Sequence, residues 1–161
     1  KALESLLNGE VFGIANGPAE FGPRALGTRS LLADPRGEDI KDRVNEIKRR
    51  QKFRPFAPMV LEEHAEDIFN MHGDTNPYMQ GVYTVKQPEL YPAIVHKDGT
   101  ARVQVVKPDC TSIFRKILEE FYEQTGVPIL LNTSLNIRGR PIVNDERDAK
   151  IFQSQYGVKV F

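Results

Sequence analysis

The sequence predicts a mixed α/β fold, a twisted sheet with flanking helices. Three observations predict it. Two stretches with helical apolar periodicity, 38–51 and 112–124, alternate with apolar runs of strand length at 11–16, 54–61 and 127–131. Segments rich in Gly, Pro and Asn separate these elements. Asp98-Gly99 lies between two strand-like runs, the signature of a hairpin and so of an antiparallel pair.

Each element has a local reason. Ala2, Leu3, Leu6 and Leu7 recur at helical spacing, and Asn8-Gly9 closes that helix. Val11–Asn16 reads as a short buried strand. Residues 17–37 read as a loop punctuated by Gly and Pro, with a brief apolar piece at Leu31–Ala33. Between Glu38 and Gln51 an amphipathic helix carries Ile40, Val44 and Ile47 on one face and Lys41, Lys48 and Lys52 on another. Pro55 and Pro58 bar helix in Arg54–Leu61, which enters a strand. Glu62–Phe69 is a short acidic helix, and 74–91 is irregular apart from a strand at Gly81–Val85.

The second half follows the same rules. Ile94–Val106 is read as the hairpin about Asp98-Gly99. A helix at Ser112–Gln124 has Ile113, Phe114, Ile117, Leu118 and Phe121 as its apolar stripe. Thr111 or Ser112 caps its start and Gly126 ends it. Val127–Leu131 is a buried strand, and Asn132–Asn136 is a polar loop after it. A short helix at 145–153 precedes a terminal strand.

The bulk numbers narrow the function classes. With 161 residues the chain is read as one domain spanning 1–161. It opens on Lys1 inside a helical pattern and is read as a piece of a longer polypeptide. The lone Cys110 excludes an internal disulfide and a Cys-based metal cluster, and suits a reducing, cytoplasmic location. No apolar run approaches the length of a membrane span. His64 and His72 lack metal spacing with a third ligand, so no metal site is expected from these residues. Net charge is zero, which weighs against a nucleic-acid-binding module, the alternative reading of a basic α/β surface.

Charge is nonetheless concentrated. Glu20–Arg54 carries ten Lys or Arg against six Asp or Glu. Arg24, Arg29 and Arg54 sit beside Gly or Pro, in Phe-Gly-Pro-Arg, Leu-Gly-Thr-Arg and Phe-Arg-Pro-Phe. A rigid turn fixes a guanidinium, whose planar fork matches phosphate and carboxylate oxygens. The stretch therefore reads as a preformed anion site. Lys41, Arg43, Arg49, Arg50 and Lys52 read instead as solvated helix face. Thr133, Ser134 and Asn136 follow an apolar strand, where ligands of α/β sheets gather; their polar groups suit phosphate or sugar oxygens, or the capping of their own turn. His96 and Arg102 flank the Asp98-Gly99 turn. No Walker A or Gly-x-Gly-x-x-Gly element is present.

Four long segments, in order, resemble the C-terminal region of the nodulation and antibiotic-biosynthesis O-carbamoyltransferases. They are Glu20–Arg36, Val44–Lys48 with Phe53–Pro58, His96–Gln104, and Thr125–Asn136, with continuation into Gly139–Val143. Arg140 stands where the family usually has Glu, and Pro18-Ala19 where a Met is common; Arg140 would add a cation near the site. The resemblance implies a YrdC-like domain with a concave basic surface that binds ATP, with Mg²⁺, and carbamoyl phosphate to form carbamoyl-adenylate. It implies a preceding Kae1-like domain of the same polypeptide, carrying its own metal, that moves the carbamoyl group to a hydroxyl. Carried over by position, Lys48, Arg54, Arg102 and Ser134 would be the catalytic set, holding the carbamoyl phosphate and the nucleotide phosphates. Arg24, Arg29, His96, Thr133 and Asn136 would complete the pocket.

Overall fold

In the computed structural model, which describes residues 1–161, six strands form one sheet. They are β1 (Phe12–Ala15), β2 (Arg29–Ala33), β3 (Ala57–Leu61), β4 (Gly81–Thr84), β5 (Thr100–Val106) and β6 (Ile129–Ser134). Their spatial order is β1-β2-β6-β3-β5-β4. Only β3 and β5 run parallel; every other neighbouring pair is antiparallel. The helices are α1 (Ala2–Leu7), α2 (Ile40–Ile47), α3 (Ala65–Ile68), α4 (Ile113–Thr125) and α5 (Glu146–Tyr156). No helix is long and apolar enough to cross a membrane.

The mixed sheet and flanking helices are those expected, and one contiguous core of 39 buried residues joins them. Strands β2, β3, β5 and β6 supply runs such as Leu31–Ala33 and Ile129–Leu131, buried throughout because the sheet centre is covered on both faces. α4 buries Phe114, Ile117, Leu118 and Phe121, whereas Ile113 at its start remains exposed. Its last turn closes on Gly126 at φ +71, a left-handed conformation that Gly adopts without a Cβ clash. Ser112 occupies the N-cap position, but its hydroxyl makes no capping bond. In α5 the Asp145 carboxylate does cap, accepting from the Asp148 amide at 2.9 Å.

Four local readings change. Arg29–Ala33 is a strand paired on both edges, with β1 and β6, so only two residues beyond the apolar piece were needed to make it central. Asp98-Gly99 turns the chain, with the Gly99 and His96 amides bonded locally, but Ile94–Lys97 forms no strand. β5 instead pairs with β4 over four residues and with β3 over three, so both of its edges are taken by strands distant in sequence. β6 continues through Ser134, which puts Asn132–Ser134 in the sheet rather than in a loop. The C-terminus reaches β1 by a single parallel bridge, Gly13–Val160, instead of a strand.

One buried charge ties the second half together. The Arg115 guanidinium contacts Glu63 (2.5 and 3.1 Å), Glu119 (2.7 Å) and the Val106 carbonyl (2.8 Å). It anchors α4 to the end of β5 and to the turn after β3. Both carboxylates and the carbonyl satisfy its donors, the condition under which a buried guanidinium is tolerated.

Candidate functional site

The loop Glu20–Thr28 is held in shape by its own first residue. Glu20 Oε1 accepts from the amides of Leu26 (3.0 Å) and Thr28 (2.9 Å), which closes the loop into a rigid clasp. Gly27, at φ +124, passes so close to α4 that a Cβ would lie 2.3 Å from the Phe114 ring. Arg24 rises from this clasp.

A second cation comes from the end of α2. The amides of Arg49 and Arg50 bond to Glu46 O and Asn45 O, both at 3.0 Å, in the double closure of a Schellman turn. The left-handed residue is Arg49, at φ 51, where Gly is usual. The turn sends Lys48 and Arg50 in different directions. Arg50 Nε donates to Asn45 Oδ1 at 2.7 Å, and its guanidinium lies over the Phe56 ring at 4.3 Å. Burial, and secondarily the Arg54 charge, push Arg50 down to about 10.

These elements enclose a cavity of about 230 Å³ above β6. Arg24, Arg50 and Arg102 line it with His96, Thr133 and Ser134, and no Asp or Glu is among the lining residues. Arg24 is pushed down from its ordinary value by partial burial and then by the facing Arg102. Like charges gathered without a carboxylate leave a vacancy of negative charge, which an anionic ligand would fill. His96 is oriented by Thr100, whose Oγ1 lies 3.0 Å from Nδ1.

Lys48 is buried behind Ser134. Its ammonium faces Ser134 O (2.5 Å) and Oγ (3.2 Å) and Asn136 O and Oδ1 (both 3.0 Å). Burial, then the Arg50 charge, push it down to about 7, while the four oxygens favour the protonated form. The Ser134 hydroxyl donates to Asn136 Oδ1 at 2.6 Å. Lys48, Ser134 and Asn136 thus form one hydrogen-bonded unit, of which Ser134 lines the cavity.

Of the nine candidate residues, the fold brings Arg24, His96, Arg102, Thr133 and Ser134 to the cavity, with Lys48 directly behind. Three stand elsewhere. Arg29 is buried in the neighbouring turn, where Nη1 and Nη2 donate to the carbonyls of Asn16, Thr28, Gly17 and Asn144. Its position in β2, Cα-paired with Ala15, aims it at that turn. Arg54 is exposed and is not a lining residue; its carbonyl accepts from Asn45. Asn136 faces a second cavity, of about 240 Å³, with Arg140, so the extra cation is not in the arginine cavity.

Arg50 is the residue that reading by helix period misplaced. The helix stops at Ile47, so Arg50 is no longer on a helical face. The signal available was the Arg-Pro-Phe that follows, whose Phe56 ring supports the guanidinium. A further cavity of about 490 Å³ adjoins the first and shares Pro23, Arg24, Met79 and Arg102 with it. Phe21 and Tyr78, both exposed, stand at its rim.

Residues 3–161 match the sequence model of the family described as Carbamoyltransferase C-terminus. The chain is 46% identical over 154 residues to Nodulation protein NolNO of Sinorhizobium fredii, covering 92% of this chain and 23% of that protein. It is 44% identical to Nodulation protein NolO of Bradyrhizobium diazoefficiens, covering 92% of this chain and 28% of that protein. The chain thus spans about a quarter of these relatives' length. In fold it is similar to full-length HypF, solved in a phosphate- and nucleotide-bound form, with a TM-score of 0.67 at 16% identity. That likeness covers 96% of this chain and 19% of HypF.

Proposed function

The chain belongs to the carbamoyltransferase C-terminal family, and from that premise we propose that it binds ATP and carbamoyl phosphate and forms carbamoyl-adenylate. The observation that carries the reading is the convergence of Arg24, Arg50 and Arg102 on one cavity without a carboxylate. In this reaction water releases phosphate from carbamoyl phosphate to leave carbamate. A carbamate oxygen then bonds to the α-phosphorus as the bond from that phosphorus to the bridging oxygen breaks, and pyrophosphate leaves.

Every participant is anionic, so repulsion opposes their approach. Fixed guanidinium groups in one cavity remove that repulsion and meet the charge that shifts toward pyrophosphate. Arg24 and Arg102 hold phosphate oxygens, and Arg50, stacked on Phe56, holds its place as the ligands enter. Thr133 offers its hydroxyl to the same oxygens, beside Ser134, whose own hydroxyl hydrogen is committed to Asn136. No side chain serves as nucleophile. The nucleoside fits the adjoining cavity, where Phe21 and Tyr78 provide faces for a base.

The lining has no carboxylate, and no His, Cys, Asp or Glu cluster elsewhere suits a metal ion. The donor set therefore fits Mg²⁺ brought on the triphosphate rather than one held by protein ligands, and bound there it would supply further charge neutralisation. Transfer to an acceptor hydroxyl belongs, in this reading, to a Kae1-like domain of the same polypeptide that carries its own metal.

Two measurements test the reading. Isothermal titration should detect both ATP and carbamoyl phosphate, each weakened in Arg50→Ala and Arg102→Ala. Incubation with ATP, Mg²⁺ and carbamoyl phosphate should release pyrophosphate only when all three are present. A parent chain that binds neither ligand overturns the proposal.

A further inference from the structure

Asn132 is the one fully buried polar side chain that lines the arginine cavity, at 1% exposure. It lies on the central strand β6, with Leu32 of β2 and Ala57 of β3 as its Cα partners. Its Nδ2 hydrogens are both committed, to Ala25 O at 3.0 Å and Gln104 Oε1 at 2.8 Å. Gln104 is itself oriented, since its Nε2 donates to Leu26 O at 2.7 Å. Rotating the Asn132 amide would face oxygen with oxygen at both contacts, so the orientation is set by its neighbours. The result is a buried Oδ1 that no donor of the chain itself reaches.

A buried acceptor without a partner carries a free-energy penalty that a donor removes. Phosphate oxygens cannot serve, because they too are acceptors and bear negative charge. The group that completes Oδ1 must be neutral, carry an N–H or O–H, and enter a cavity that three arginines line. Among the ligands of the proposed function, on which this inference rests, the nucleoside, with its base and its ribose hydroxyls, has the adjoining cavity rimmed by Phe21 and Tyr78. The carbamoyl amide remains.

We propose that Asn132 Oδ1 accepts an N–H of the carbamoyl group and so selects carbamoyl phosphate over other acyl phosphates. Acetyl phosphate is the diagnostic competitor, because it replaces NH₂ by CH₃ and keeps the acyl phosphate. A site built around a hydrogen bond rejects the isostere that lacks it, since the protein group stays unpaired.

The experiment titrates the 161-residue chain with carbamoyl phosphate, acetyl phosphate and inorganic phosphate. The parent should prefer carbamoyl to acetyl phosphate by about 10–100-fold. Asn132→Leu should bring that preference to within about threefold while inorganic phosphate still binds as in the parent, which reports an intact fold and cation set. Asn132→Val removes the acceptor in a strand-compatible shape, and should show the same levelling should the leucine variant fail to fold. A parent that binds both acyl phosphates equally overturns the inference and leaves the anion site standing. A folded variant that keeps the full preference overturns the role of Asn132 alone. A parent that binds none of the three overturns the proposed function and this inference with it.

Discussion

Lys48 and Ser134, 86 positions apart, are locked together: one ammonium reaches both the carbonyl oxygen and the hydroxyl of that serine. The contact fastens the turn after α2 to the last residue of β6, Ser134, which lines the cavity. Because burial pushes the Lys48 ammonium down to about 7, folding is linked to pH. Between about 7 and the ordinary lysine value of 10.5, the unfolded chain holds the proton that the folded chain has lost. Stability should therefore rise with pH across that window, by at most about 1.4 kcal/mol per pH unit. Urea denaturation at several pH values checks it: Lys48→Met should lack this component of the slope. Equal slopes in parent and variant would remove the linkage.

Arg50 and Arg49 are adjacent and should behave oppositely. Arg50→Ala should weaken phosphate-ligand binding by about 2 kcal/mol, the loss of one charge-assisted contact. Arg49→Gly relieves a left-handed non-glycine residue at φ 51. It also gives up the stacking of Arg49 on Tyr156, 5.4 Å away. Its net effect on stability should be a gain of roughly 0.5 kcal/mol, with ligand affinity unchanged. Isothermal titration and urea denaturation separate the two effects.

Arg29 should report on stability rather than on binding. Its guanidinium donates to four carbonyls in a turn outside the arginine cavity. Arg29→Met should lower the unfolding free energy by about 2–3 kcal/mol, as expected for buried groups losing charged hydrogen bonds. The folded fraction should bind inorganic phosphate with parental affinity. A tenfold affinity loss at unchanged stability would put Arg29 at the ligand instead.

Phe21 and Tyr78 offer the converse case. Phe21 is wholly exposed and Tyr78 largely so, hence Phe21→Ala and Tyr78→Ala should leave thermal stability within about 0.5 kcal/mol of the parent. Each should lower ATP affinity by about 1–2 kcal/mol if a base stacks there, without changing affinity for inorganic phosphate. Equal losses for ATP and phosphate would argue against a base-stacking role.

Much of the fold is legible in local pattern. The stripe of Phe114, Ile117, Leu118 and Phe121, and the apolar runs of β3 and β6, depend on side-chain period and burial, which neighbours in sequence already express. The hairpin at Asp98-Gly99 was misleading for the same reason. A turn is local, but strand pairing is not, and β5 found its partners in Gly81–Thr84 and Met59–Leu61.

The sequence alone determined that this chain forms helices on a mixed sheet, concentrates its cations among rigid Gly and Pro turns, and carries the ordered motifs of its family. Those properties reside in residues close together along the chain. Only the tertiary structure decided which cations meet. Arg50 enters the cavity because a left-handed Arg49 redirects the chain after α2, while Arg29 turns away because β2 pairs with β1. Asn132 keeps a free acceptor because Gln104 and Ala25, distant in sequence, take both of its donors. Direction and hydrogen-bond satisfaction are set by long-range neighbours, and no local pattern encodes them.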